Sequence, residues 1–269
     1  MSILEGLFLG ILQGLTEFLP VSSSGHLVMF QNLLGIEEGA FTFGICVHFA
    51  TLVAVCAVYY KDIVKLIKNP LSKPVLLIIV GTVPAVIAAV FLEDLLREYF
   101  DTGKSLGIGF LFTATVLLIS SKIHTGKKTM DTTKTKDALI IGFAQAVALF
   151  PAVSRSGMTI TTSLARGIKR EEASKFSFLL SVPVILGAVV MDVYGLLKEP
   201  GLLEESINTG PFLVGIIAAG VSGYFAIRFM IKVINKGKLK YFSYYLYIVA
   251  ALVLFDQLFI GKLFPKLFG

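Results

Sequence analysis

Apolar residues run along this chain in long blocks, with polar residues confined to short links between them. Six blocks, at about 41–60, 74–92, 106–121, 175–197, 211–231 and 241–261, have the length and composition of membrane-crossing helices. A crossing takes roughly 20 residues, so the block at 106–121 has to borrow from its flanks. The segments 1–34 and 138–168 follow another pattern. Each is an apolar stretch, then a break (Pro20 to Gly25; Pro151 to Gly157), then a second short apolar stretch. Neither half of either segment is long enough to span. Each segment therefore reads as a re-entrant helical hairpin, which is tolerated at membrane depth only when buried in protein or lining a cavity.

The two breaks are copies of each other. GILQGLTEFLPVSSSG, from Gly10 to Gly25, recurs ungapped 132 positions later as GFAQAVALFPAVSRSG, from Gly142 to Gly157, with seven of sixteen positions identical. Each copy leads a unit of one hairpin and three spans. An odd number of spans inserts the second unit upside down relative to the first. The expected fold is an all-α integral membrane protein of two inverted-topology repeats, 1–130 and 131–269, forming one membrane domain. The two hairpins would enter from opposite faces and meet near the midplane.

Composition agrees with a membrane protein: 55% of the 269 residues are hydrophobic and 16% charged, with a mean hydropathy of +0.83. The N-terminus carries Glu5, no basic region and no small-residue cleavage pattern, so no cleavable signal peptide is expected. Cys46 and Cys56 fall in one apolar run and read as packing residues, not a disulfide. A net charge of +6 is here a record of orientation, and nucleic-acid binding is not expected. The links 61–73, 122–137, 166–175 and 232–240 hold 17 of the 24 basic residues, whereas Glu37, Glu38, Glu93, Asp94, Glu98, Asp101, Glu199, Glu204 and Glu205 mark the other links. With non-crossing hairpins, the basic links all fall in the cytoplasm, and both termini of this multi-pass plasma-membrane protein fall outside.

The polar residues at the breaks carry the candidate chemistry. Gln13 and Glu17 share a helix face at i, i+4, and a carboxylate within an apolar helix is a functional candidate by default. The turn Ser22-Ser23-Ser24-Gly25-His26 offers backbone N–H groups, hydroxyls and a helix dipole to an anion. It also serves equally well as a simple N-cap. Ser23 and His26, at i, i+3, allow a serine nucleophile with a histidine partner, or a histidine acting alone. In the second copy Arg155 replaces Ser23 and Leu149 replaces Glu17. Arg155 flanked by Ser154, Ser156 and Thr159 suits a phosphate-type anion. An Arg155–Glu17 ion pair that braces the hairpins is the structural alternative. His48, Asp192 and Asp256 lie in or near spans, but nothing in the sequence places them at the breaks.

QGLTEFLPVSSSGH and PAVSRSGMT, in this order and spacing, resemble the undecaprenyl-diphosphate phosphatase family, known for conferring bacitracin resistance. The resemblance covers the whole chain. It implies hydrolysis of a polyprenyl diphosphate to the monophosphate and inorganic phosphate, recycling a lipid carrier for cell-wall (peptidoglycan) synthesis, with Mg²⁺ or Ca²⁺ in support. The family's E/Q-x-x-x-E motif falls on Gln13 and Glu17, the candidate metal ligands. Ser23, His26, Glu17 and Arg155 are then the catalytic candidates; Ser22, Ser24, Ser154, Ser156 and Thr159 would bind substrate. Direct attack by water promoted by His26 is the alternative to Ser23. Gln13 stands where many members have Glu, which bears on the metal. Ala152 stands where Gly is usual, which implies either a different turn or a position with no need of the left-handed conformation. The partners are the lipid substrate and the bilayer, and a homodimer is a candidate assembly. A polyprenyl-phosphate flippase, or another transporter of inverted-repeat fold, is the rival function.

Overall fold

A computed structural model describes residues 1–36, 39–198 and 209–267; the acidic residues Glu37, Glu38, Glu199, Glu204 and Glu205 lie outside them. All the regular elements described are helical: α1 (Ile3–Phe18), α2 (Ser23–Leu34), α3 (Ala40–Val58), α4 (Tyr60–Lys68), α5 (Lys73–Phe91), α6 (Glu93–Thr102), α7 (Leu106–Ser120), α8 (Thr135–Val147), α9 (Arg155–Ala165), α10 (Arg170–Lys198), α11 (Thr209–Asn235) and α12 (Lys240–Phe255), the last ending in a π-turn over Asp256–Ile260. α3, α5, α10, α11 and α12 with its π-turn are long and apolar enough to cross a bilayer. α7 is apolar but keeps only 15 residues, about 22 Å at 1.5 Å per residue, and borrows no helix from its flanks. α1–α2 and α8–α9 are the two hairpins. α4 and α6, short amphipathic helices in polar links, have no counterpart among the elements expected from sequence.

The outward faces carry the bulk. On α11, Leu213, Ile217, Val221, Phe225 and Phe229 are exposed at a spacing of four, while Gly215, Ala219, Gly223 and Ala226 on the opposite face are buried. Large residues outside and small ones inside is the pattern of a helix solvated by lipid. The buried small face of α11 receives α1: a Cβ added at Gly6, Gly10 or Gly14 would strike the backbone of Pro211, Gly215 and Ala219 in turn. α8 is seated on α5 in the same way. Gly142 packs on the carbonyl of Gly81 and on Pro84, and Gln145 Nε2 donates to Gly81 O at 3.2 Å. Each hairpin's first helix thus rests on a long helix from the other half of the chain.

The four basic links gather at one end. Lys175 pairs with Asp62 at 2.5 Å, Lys73 Nζ donates to Asp131 O at 2.5 Å, Arg170 donates to Ile123 O at 3.1 Å, and the Arg170 guanidinium packs on Gly237. Asp137, in the first turn of α8, is the buried anchor here, held by Lys128 at 2.7 Å and Arg166 at 2.8 Å. Burial alone would raise its carboxyl, but the hydrogen bonds from Lys128, Arg166 and the Lys134 N–H hold it below the usual aspartate value. A carboxyl depressed in the folded state adds stability above its unfolded pKa, and loses it as pH falls through the folded one. Asp137→Asn is therefore expected to cost about 1–2 kcal/mol at neutral pH, since both cationic partners reach solvent. It should also flatten the acid limb of a thermal-stability profile below about pH 4.

One expectation is corrected at the second break. Ala152 has φ 63°, so the left-handed conformation is needed and alanine adopts it. That costs roughly 1–2 kcal/mol for an L-residue. The fully buried methyl sits between Gly25 and Gly109, and its burial returns about 0.8 kcal/mol. Ala152→Gly should accordingly change stability by less than about 1 kcal/mol in a denaturation assay. Ala152→Val, β-branched and pressed between two glycines, should destabilise by about 3 kcal/mol or more.

Candidate active site

The two breaks meet tip to tip. Ser22 caps α2 by accepting from Gly25 N at 3.3 Å, and Ser154 caps α9 by accepting from Gly157 N at 3.1 Å. Each capping hydroxyl also lies 3.3 Å from the serine two residues on, Ser24 and Ser156. Ser156 Oγ donates to Leu19 O at 3.2 Å, tying the second tip to the first. Behind the second tip, Thr113 of α7 donates to Ala152 O at 3.0 Å and accepts from Ser154 N at 3.1 Å. Gly109 and Thr113 are the fourth and eighth residues of the 15-residue α7, so the second tip sits about midway along that helix. Two helix N-termini with capping serines direct first-turn N–H groups into this region, which suits an anion.

Glu17 is the hub. Its Oε1 accepts from Arg155 Nη2 at 2.5 Å. Its Oε2 accepts from Ser23 Oγ at 2.6 Å and from Gln13 Nε2 at 3.0 Å. Carboxylate and guanidinium are both almost buried, with side chains 6% and 12% exposed. A buried pair so close is expensive to break from one side. Two polar atoms in the group are buried with no partner: Arg155 Nη1 and Gln13 Oε1. One is a free donor and the other a free acceptor, as a phosphoryl oxygen and a hard cation would require.

His26 sits apart from Ser23. Its Nδ1 is 2.8 Å from Ser22 O and its Nε2 is 2.8 Å from Tyr245 OH. A carbonyl can only accept, so Nδ1 carries the proton, and the neutral ring receives the Tyr245 hydroxyl at Nε2. The imidazole is fully buried, edge-on to Phe110 with centroids 5.1 Å apart. Thr159 turns away from the tips: its hydroxyl is engaged with Arg155 O at 2.9 Å and Ser177 Oγ at 2.6 Å. It therefore acts on α9 and α10, holding the helix that presents Arg155. Ser22, Ser24, Ser154 and Ser156 all lie at the tips.

This constellation lies within the span of a known protein family. The family model for bacitracin resistance protein BacA matches residues 6–252. The chain belongs to the BacA family. It is 44% identical over 257 residues to the undecaprenyl-diphosphatase of Carboxydothermus hydrogenoformans, covering 96% of this chain and 98% of that protein. Undecaprenyl-diphosphatase 3 of Bacillus cereus is 43% identical over 257 residues, with 96% and 98% covered. The undecaprenyl-diphosphatase of Halothermothrix orenii is 40% identical over 256 residues, with 94% and 98% covered.

In this BacA-family chain three residues around Glu17 and His26 cannot be placed from sequence. His48 Nε2 lies 3.7 Å from Glu17 Oε2, with Nδ1 bound to Gly44 O at 2.8 Å. Asp192 of α10 is within electrostatic reach of His48. Tyr245 comes from α12, more than 200 positions from His26. The one signal in the sequence is an ionisable group within an apolar span, which His48 and Asp192 both carry. Tyr245 is one of 9 tyrosines and carries none.

Proposed function

We propose that this chain is an integral-membrane phosphatase that hydrolyses undecaprenyl diphosphate to undecaprenyl phosphate and inorganic phosphate. One observation carries the reading: Ser23, Glu17 and Arg155, from two hairpins, form one hydrogen-bonded group in which Arg155 Nη1 is buried without a partner. The Ser23 hydroxyl already donates to Glu17. In the reaction Glu17 takes that proton as Ser23 Oγ attacks the terminal phosphorus, and the P–O bond to undecaprenyl phosphate breaks. Water then attacks the phosphoserine and releases inorganic phosphate, with the proton returned through Glu17 to Ser23. Arg155 shifts its free nitrogen and dipole onto the transferring oxygens, whose charge it offsets. His26, locked by Ser22 O and Tyr245, orients the first turn of α2 and the N–H groups it offers to the leaving phosphate.

A hard cation fits this donor set only in part. Among the described residues no cluster of three or more His, Cys, Asp or Glu side chains could hold a metal. Glu17 and the unpartnered Gln13 Oε1 supply two oxygens, and Mg²⁺ or Ca²⁺ would complete its shell with water and the diphosphate itself. Such an ion, when bound, would neutralise phosphoryl charge.

The same reading extends to architecture. Positions 132 apart repeat their roles: Gly10 and Gly142 seat their helices, Ser22 and Ser154 cap, Gly25 and Gly157 are capped. Glu5 and Asp137 both accept from the backbone three residues earlier. This supports two inverted repeats with re-entrant hairpins. By the basic links, both termini lie outside.

The test is phosphate release from the C55 diphosphate by detergent-purified protein. A phosphatase releases phosphate; a flippase or transporter, deprived of a second compartment, releases none. Excess EDTA should abolish release and Mg²⁺ or Ca²⁺ restore it. Full activity in EDTA would remove the cation from the proposal.

A further inference from the structure

At the basic end, away from the tips, α11 and α12 diverge around a groove of about 410 Å³, within the size range of small-molecule sites, about 300–1,000 Å³. Phe229, Val233 and Phe242 form its walls together with the aliphatic stems of Lys232, Lys236 and Lys238; the lining is almost wholly apolar, so these exposed lysines carry their charges at its rim. Lys232 and Lys236 are one turn apart on α11. Lys238 reaches the groove from the next connection because Gly237 turns the chain at φ 67°. The Arg170 guanidinium packs behind that turn. No carboxylate lines the groove among the described residues. Tyr241 lies at its edge with Lys240 Nζ 5.5 Å from the ring, an amphipathic pair of the kind that marks the headgroup level.

A lysine at a helix end snorkels on its own, so one such residue would mean little. Three around one concavity with aromatic walls is a different arrangement. Their positive charges stand at the rim with no carboxylate in the lining among the described residues, while the walls call for acyl chain or glycerol. We propose that this groove is a binding site for an anionic glycerophospholipid of the leaflet on the basic-link side. The phosphate would be held at the rim by Lys232, Lys236 and Lys238, and the glycerol and upper acyl chain would lie in the apolar groove against Phe229 and Phe242. Charge complementarity selects this occupant over a zwitterionic lipid, whose amine would meet the lysines, and the apolar walls select it over free phosphate. The proposal is independent of the chemistry at the tips.

The test is retention of phosphatidylglycerol against phosphatidylcholine by purified protein in mixed micelles, read by native mass spectrometry, with thermal stability followed in each lipid. A lysine near an anionic lipid is worth about fivefold in affinity, or about 1 kcal/mol. Wild type should prefer phosphatidylglycerol by about tenfold or more. The triple variant Lys232→Gln/Lys236→Gln/Lys238→Gln should lose that preference while keeping its phosphatase activity in detergent. Lys61→Gln/Lys65→Gln/Lys68→Gln on α4 should keep it. Should the triple variant misfold, Lys236→Gln alone is expected to weaken retention about fivefold. Equal losses in the α4 control would show diffuse surface attraction and overturn the site. So would wild type without preference, or lipid displaced by millimolar inorganic phosphate.

Discussion

Arg155→Ala and Arg155→Lys are both expected to lower kcat by about 10²–10³, or roughly 3–4 kcal/mol of transition-state stabilisation. Lysine keeps the charge. It cannot hold Glu17 with one nitrogen and keep a second free for a phosphoryl group, as the planar guanidinium with its unpartnered Nη1 can. Glu17→Gln should fall at least as far, because it removes the acceptor of the Ser23 proton. The decisive arm is the double variant Glu17→Gln/Arg155→Ala. If the pair were only a brace between hairpins, each single change would strand a buried charge, and neutralising both would restore stability and activity together. The expected result is split: thermal stability partly recovers in the double variant, and phosphate release does not. Normal turnover in the double variant would remove Glu17 and Arg155 from the chemistry.

The second large effect is expected at the seam between α1 and α11. Gly10→Leu should prevent folding, and Gly10→Ala should cost about 1–3 kcal/mol, seen as a lower melting temperature. The reason is what the new carbon meets: the Cα of Gly215 at 2.8 Å, with its carbonyl nearer still. Backbone cannot rotate aside, so α1 must lift from α11, and Glu17 moves with it. A displacement of about 1 Å at a reacting group can cost about 10²-fold in rate, so activity should drop beyond the loss of stable protein. Gly187→Ala supplies the contrast. Nothing lies within 4 Å of its added carbon, and replacing a helical glycine there should be neutral or stabilising by up to about 1 kcal/mol. Equal effects at both positions would mean that helix propensity, not the α1–α11 seam, governs this fold.

The spans are legible in the sequence because lipid imposes a long, uninterrupted apolar stretch, and the breaks because a repeat exposes them. Glu17, Ser23 and Arg155 can be read as site residues on a related ground: a polar group at membrane depth costs too much to persist without a task. Their pairing is less accessible. Spacing on α2 puts Ser23 and His26 on one face, but tertiary packing sends Ser23 to Glu17 and His26 to Tyr245. Thr159 shares a motif with Arg155 yet points at Ser177, a contact set by how α9 meets α10. Ala152 misleads because burial of its methyl between two glycines offsets a backbone cost that propensity alone would forbid. α4 and α6 escape notice because their short stretches bury little and read as links.

The seating of α1 on α11 also has a consequence in time. The surface that Gly10 needs is centred on Gly215, about 200 residues later in the chain. At a synthesis rate of about 5–20 residues per second, that surface emerges roughly 10–40 s after α1 does. Throughout that interval the first hairpin has neither its groove nor, for much of it, the arginine that neutralises Glu17. Until α11, in the last quarter of the chain, has been made, the carboxylate-bearing first hairpin has no seat in the fold.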